Sequence, residues 1–264
     1  MNVNKEKEDS RNSKNFIKSL DKGLKVIQAF SRENSTMTIS EVSNKTNLTR
    51  PTVRRILLTL QELRFVDSNN DEFFLTARIL NLGYAFLSSQ DLIKIAEPFM
   101  QKFVKRVGES CSMAVLDKDD IIYIARVPTK RIITITLSVG SRLPAHATSM
   151  GQVMLAHLSK EELNDFFSNV NLNKLTNQTL INKTDLLQEL EKIRQSGWAL
   201  AEQELETGLR SIAAPIKNTK GKTVAAINCS TQSSRVAKET LIKEYLPILL
   251  QTANDISENL INQG

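Results

Sequence analysis

Residues 38–57 run Thr38-Ile39-Ser40-Glu41-Val42-Ser43-Asn44-Lys45-Thr46-Asn47-Leu48-Thr49-Arg50-Pro51-Thr52-Val53-Arg54-Arg55-Ile56-Leu57. The pattern is that of two short helices around a tight turn. Val42, Thr46, Leu48, Val53 and Ile56 fall where two crossing helices must touch, and Ser43 is small where their backbones come close. Thr49 or Arg50 is placed to cap the second helix. Pro51 lies in its first turn, where a missing N–H costs nothing. At ~100° per residue, Val53, Ile56, Leu57 and Leu60 make one buried stripe. Arg55 projects almost opposite that stripe, with Thr52 and Arg54 on its flanks. The turn carries Asn47 where glycine is usual, and asparagine tolerates left-handed backbone.

An ordinary helical hairpin with a solvated outer face would show much the same pattern. The residues that follow separate the two. Leu63-Arg64-Phe65-Val66-Asp67 and Glu72-Phe73-Phe74-Leu75 have the composition of short strands around a Ser68-Asn69-Asn70-Asp71 turn. A hairpin directly after the second helix is a wing, so a winged helix-turn-helix is predicted over residues 15–76. Such a unit implies binding to double-stranded DNA. Arg50, Thr52, Arg54 and Arg55 are expected in the major groove, with Ser40 and Thr49 on the same face. Lys18, Lys22, Asn69 and Asn70 are expected on phosphates.

The 264 residues suffice for two domains with separate cores, and a hydrophobic content of 41% is globular. No apolar run approaches membrane-spanning length, and residues 1–14 have the make-up of a polar, disordered leader, not a signal peptide. Two distant cysteines, Cys111 and Cys229, point away from a disulfide framework and towards a reducing cytoplasm. The net charge of +6 suits a polyanionic partner because Lys14, Lys18, Lys22, Lys25, Arg50, Arg54 and Arg55 gather around the predicted reading head.

Around that head, Leu20, Leu24, Ile27 and Phe30 predict a first helix with Ser19 as its cap. Ile79, Leu80, Leu82, Gly83, Phe86 and Leu87 predict a strongly apolar linker helix over 77–90. It is expected to pack on a second copy of itself, the other option being its own domain. Residues 91–264 then predict an α+β domain. A helix capped by Asp91 runs to Gly108 past Pro98, and strands follow at 112–116, 121–127 and 132–137. Helices are expected at 150–157, 160–167 and 185–195, strands at 211–216 and 223–230, and a terminal helix at about 238–260.

On the last strand Val224, Ala226, Asn228 and Ser230 share one face, and Ala225, Ile227 and Cys229 share the other. Small residues with Asn and Ser suggest a cavity with fixed hydrogen-bonding groups, the alternative being local satisfaction of backbone groups. Leu143-Pro144-Ala145-His146-Ala147-Thr148-Ser149-Met150-Gly151 places Thr148 or Ser149 at a helix start, which suits a carboxylate ligand or simply caps the helix. Arg210 and Ser211 can complete a polar lining. A hydrolase built on Ser149, His146 and Glu204 is the competing class. Without a G-x-S-x-G elbow, a phosphate loop or metal-ligand spacing, neither an enzyme nor any cofactor or metal is expected.

Over residues 16 to 262 the chain resembles the isocitrate lyase regulator (IclR) family of bacterial transcription factors. The segments that carry the resemblance are Leu48 to Leu60, Leu143 to Ala156 (LPAHATSMGQVMLA) and Gly197 to Ser230. Leu48-Thr49-Arg50, Arg126-Val127-Pro128-Thr129-Lys130-Arg131-Ile132, Thr148 to Gly151 and Gln203 to Ser211 resemble its β-ketoadipate branch, whose members respond to protocatechuate, 4-hydroxybenzoate or related dicarboxylates. The resemblance implies a winged helix domain, a dimerising linker helix and a GAF-like effector domain with an antiparallel sheet. It implies a homodimer or dimer of dimers and a small carboxylate effector. Effector contacts are expected at His146, Ser149, Met150, Leu209, Ser211, Asn228 and Ser230. Ala201 stands where small-acid binders of the family have an acidic residue, and Ser149-Met150 where they have tiny ones. A glyoxylate-type ligand therefore does not carry over, and Met150 is expected to reshape the pocket. An efflux-type sensor of apolar compounds is the alternative within the same fold.

Overall fold

The computed structural model describes residues 15–31, 33–89, 91–129 and 137–262, without the side chains of 85–89 and 262. The expected leader at 1–14, the side chains of Phe86 and Leu87, and all but the end of the strand expected at 132–137 lie outside those residues. The chain divides into two compact units, Met1–Ser89 and Gln90–Gly264.

In the first unit, α1 (Lys18–Gln28), β1 (Thr36–Thr38), α2 (Ile39–Thr46), α3 (Arg50–Glu62), β2 (Val66–Asn69) and β3 (Glu72–Leu75) are followed by a short 3-10 turn and α4 (Leu80–Ser89). The three strands form an antiparallel sheet in the order β1-β3-β2. Val26, Met37, Val42, Val53, Leu57, Leu60, Val66 and Phe73 are its core. The expected stripe of α3 holds, with Ile56 at its edge. That of α1 holds only at its end: Ile27 and Phe30 pack against the core beside the fully buried Val26 and the C-cap Ala29, while Leu20 and Leu24 are exposed. Ser19 lies inside α1, and Ile17 holds the cap position without a side-chain bond.

The wing also starts later than expected. Helix α3 continues through Glu62, and Arg64, at φ 60°, turns the chain before β2 begins at Val66. Thr76 Oγ1 donates to the Arg64 carbonyl at 2.6 Å and ties that turn to the end of β3. Asn70 and Asp71, with φ of 48° and 66°, form the two-residue hairpin turn.

In the second unit, α5 (Asp91–Val107) precedes β4 (Cys111–Asp117), β5 (Asp120–Val127) and β6 (Arg142–Pro144). Then come α6 (Ser149–Ala156), α7 (Lys160–Asn169), α8 (Lys183–Ser196), β7 (Ala199–Glu202), β8 (Leu209–Lys217) and β9 (Thr223–Gln232). A helical turn and the π-turn Leu241–Tyr245 lead into α9 (Leu246–Asn262). Pro247 lacks the N–H that would bond back to Lys243, which accounts for the π-turn just ahead of it. The antiparallel sheet has the order β6-β5-β4-β9-β8-β7. The short strands β1, β6 and β7 have no counterpart among the elements expected from the sequence.

The alternation on β9 sorts the two faces from Ala225 onward; Val224, expected on the face of Ala226, packs with the opposite cluster where the pairing with β8 shifts register. Ala225, Ile227 and Cys229 pack with α5 and α9, and Cys229 lies opposite Cys111 of β4. Ala226 packs on the other face with α6 and α8, where Asn228 and Ser230 also point. Every residue of α6 is buried. At Gly151 an added Cβ would collide with the backbone of Ala145. Gly151→Ala is therefore expected to cost about 3 kcal/mol of the second unit's stability. Urea unfolding followed by Trp198, the only tryptophan, measures it.

Candidate functional site

The reading helix is held partly by the residues singled out in the sequence, Ser43, Asn47 and Pro51, and partly by a capping box that was not. Thr38 and Glu41 form a capping box on α2, with Thr38 N–H donating to Glu41 Oε2 at 2.7 Å. Asn47 takes left-handed backbone at φ 55°, and Ser43 Oγ donates to the Leu48 carbonyl at 2.6 Å, closing the turn. Thr49 occupies the N-cap of α3, but its hydroxyl meets that of Thr52 at 2.9 Å instead of a backbone N–H. Pro51 follows within the first turn. Arg50, Arg54 and Arg55 are exposed, and none is in an ion pair among the described residues. Thr52 and Ser40 are half-buried, Lys18 is exposed and Lys22 half-buried on α1, and Asn69 and Asn70 are exposed at the wing tip. This leaves a basic helix bared on one side, with small polar groups around it.

The second unit holds a cavity of about 900 Å³ over the polar face of the sheet. Ser149, Leu209, Ser211, Asn228 and Ser230 line it, as expected from the sequence. Strand register brings them together: Ser211 lies opposite Ser230, and Asn228 opposite Ser112. Asn228 Nδ2 donates to Ser230 Oγ at 3.0 Å and Ser211 Oγ at 3.2 Å, while its Oδ1 accepts the Ser112 N–H at 3.3 Å. Ser149 and Ser211 share a hydrogen bond of 2.8 Å. The helix cap belongs to Thr148, which accepts from the Gly151 N–H at 3.2 Å.

Two expected effector contacts fall elsewhere, and so does Arg210, expected in the polar lining, which pairs with Glu202 at 2.7 Å and does not line the cavity. Met150 is packed in the core between α6 and the sheet, because successive helical residues point away from one another, so it does not reshape the cavity. His146 is buried in the turn before α6, its Nε2 at 3.2 Å from the Asn173 carbonyl, and it does not line the cavity. Burial holds its ring below the ordinary imidazole value, and so neutral at neutral pH.

Other groups in the cavity were not foreseen as effector contacts. Arg126 lines it and donates to Ser112 Oγ at 3.2 Å, with no acidic partner among the described residues. The cavity's other arginine, Arg235, is neutralised by a two-pronged pair with Glu109 at 2.5 and 2.8 Å. Tyr123 also lines it, its phenol pushed up to about 12 by burial. At the β7 side lies Glu204, whose Oε2 accepts from Gln152 Nε2 at 2.7 Å. Arg126 was legible only as part of a motif, and Glu204 only as a member of the hydrolase constellation.

Comparison with known proteins bears on both units. Residues 19–69 match the IclR helix-turn-helix domain, and residues 84–258 match the domain described as bacterial transcriptional regulator IclR C-terminal. The chain belongs to the IclR family. It is 40% identical over 246 residues to the Pca regulon regulatory protein of Pseudomonas putida, covering 93% of this chain and 84% of that one. A putative transcriptional regulator from Rhodococcus sp. RHA1 has a crystal structure that superposes with a TM-score of 0.83 at 43% identity, over 94% of this chain and 100% of its own. The inducer-binding domain of the PobR transcription factor from Acinetobacter, a double mutant in complex with 3-hydroxybenzoic acid, is 34% identical with a TM-score of 0.59. That match covers 62% of this chain and 97% of the other. This IclR-family chain is accordingly a DNA-binding transcription regulator and not an enzyme. The hydrolase constellation does not assemble: Ser149 bonds Ser211, and His146 meets the Asn173 carbonyl.

Glu204 gives the cavity a pH signature. Burial pushes its carboxyl from the ordinary 4.5 up to about 7, with a smaller push from Glu189, against the hydrogen bonds from Gln152 and the Glu202 backbone. The folded state thus holds a proton that the unfolded chain releases. Stability from this group is full below 4.5, falls as pH rises towards 7, and is flat above. The total is ~3 kcal/mol. Glu204→Gln removes the dependence. In Trp198-monitored urea unfolding, the variant should gain on the wild type by about that amount between roughly pH 4.5 and 8.

Proposed function

We propose that this IclR-family regulator controls a catabolic operon in the cytoplasm as a homodimer or dimer of dimers, and that it senses a small aromatic carboxylate. Arg126 carries the ligand reading. It is a permanent cation on the cavity wall, without an acidic partner among the described residues and beside the Ser112, Asn228, Ser211 and Ser230 hydrogen-bonding groups. A carboxylate satisfies both the charge and those donors. The relatives named for the Pca regulon and for PobR, the latter with 3-hydroxybenzoic acid bound, support an aromatic acid. An apolar effector would leave this polar floor dehydrated and unpaired, so the efflux-type alternative fits less well.

The same reading assigns Arg50, Thr52, Arg54 and Arg55 to base edges, with Ser40 and Thr49 on the same face, and Lys18, Lys22, Asn69 and Asn70 to phosphates. Leu80, Leu82 and Tyr84 of α4 are exposed and apolar, as befits a helix covered by a second copy. Effector and operator then act on one dimer equilibrium, and their effects on each other's affinity must be equal.

Arg55→Ala is expected to abolish operator footprinting while leaving the melting curve unchanged; a normal footprint would sink the assignment of α3. Arg126→Met is expected to weaken 3-hydroxybenzoate binding roughly 10- to 100-fold in calorimetry. An unaltered affinity would remove the carboxylate reading.

A further inference from the structure

The ion pair of Glu109 and Arg235 joins the end of a helix to the end of a strand. Glu109 follows Gly108, the glycine at φ 76° just after α5, and stands two residues before β4. Arg235 stands three residues beyond β9. Strand β4 carries Ser112 and β9 carries Asn228 and Ser230, so the pair bridges the same two strands as the polar floor, on the wall of the same cavity.

Both partners are anchored through their neighbours. The Gly108 carbonyl accepts from Thr129 Oγ1 at 3.1 Å, and Ser110 Oγ accepts the Thr129 N–H at 3.0 Å. Ser233 N–H donates to the Gly208 carbonyl at 2.8 Å, and Arg210 Nη1 donates to the Val236 carbonyl at 2.7 Å. The side chain of Glu109 is 3% exposed and that of Arg235 38%. An apolar pair of similar volume would hold this seam as well, because the desolvation of a carboxylate offsets the attraction of its partner. The unequal exposure gives the pair two settings: Arg235 can turn out to water, and Glu109 cannot follow it.

Helix α5 leads away from this point. Its 17 residues span ~25 Å and run unbroken past Pro98, with Ile95, Ala96, Met100 and Phe103 buried along one side. Its first residue, Asp91, comes two positions after Ser89, where the first unit ends. A helix held along its length by core contacts passes a displacement at one end on to the other.

We infer that Glu109 and Arg235 form a latch that fixes α5, and that a ligand in the cavity alters operator affinity by shifting this latch. Both are positioning residues. The coupling half rests on the effector reading above; the hold on α5 does not.

Hydrogen exchange of the full chain without ligand tests that hold. Arg235→Gln should speed exchange at least ~5-fold along α5 as far as Ile95 and leave β8 unchanged. Should that variant fail to fold, Glu109→Gln/Arg235→Gln, which also removes the buried carboxylate, should give the same pattern. Arg235→Lys, which keeps the charge, should retain most of the protection. Leu249→Ala opens a hole in the core under α9 and should raise exchange in α5 and β8 alike, the pattern of mere lost stability. Faster exchange confined to residues 104–110, or equal in α5 and β8 of the latch variants, overturns the proposal. Operator titration with and without saturating 3-hydroxybenzoate reads the coupling. The acid should change wild-type operator affinity at least ~5-fold, and in the double variant the ratio should fall close to one. A full ratio in the double variant overturns the latch as the coupling element, as does loss of acid binding by that variant in calorimetry, which would make the pair a ligand contact. If the acid moves operator affinity in no protein, wild type included, the effector reading has failed and the exchange pattern alone decides the latch.

Discussion

The alternation of β9 is the constraint from which the effector unit follows. Ala225, Ile227 and Cys229 must lie under α5 and α9, so Ala226, Asn228 and Ser230 must face the other way. A one-residue slip would put Asn228 into the greasy layer and Ile227 into the cavity, which fixes the register strongly. Because β9 pairs with β4 on one side and β8 on the other, its register also places Ser112 and Ser211. Ser112 in turn lies opposite Arg126. The polar floor of the cavity is thus one row of pairings read across the sheet.

Much of this was legible in the chain because period and capping act locally. The turn residues of the helix-turn-helix, the buried stripe of α3 and the two faces of β9 from Ala225 onward all depend on neighbours within a few residues. Asn47 could be read as a left-handed turn without any tertiary knowledge. The errors have a common physical origin. Leu20 and Leu24 look like core residues by spacing, yet Val26 and Ala29 are what the rest of the first unit covers. The strands β1, β6 and β7 are three or four residues long and exist because β3, β5 and β8 offer them edges.

The site was legible to the extent that it lies on strands. Ser211, Asn228 and Ser230 follow from the two-residue period. Met150 and His146 were misplaced because a resemblance in sequence does not say which side of a helix start meets the cavity. Arg126 and Glu204 are single charged residues in ordinary contexts. Only folding shows that one lacks an acidic partner among the described residues while the other is enclosed with an amide clamped to it. Their importance comes from desolvation, which has no signature in local sequence.

The facing of Cys111 and Cys229 across β4 and β9 has a chemical consequence beyond packing. Both side chains are buried, and burial pushes both thiols well above their ordinary range, so almost no thiolate forms near neutral pH. Alkylation and oxidation both proceed through the thiolate, which leaves the two sulfurs inert while the sheet is closed. Reaction at either one has to wait until α5 and α9, which cover that face of the sheet, come away from it. The slow chemistry of a pair of buried sulfurs is therefore a clock for how often that helical layer opens.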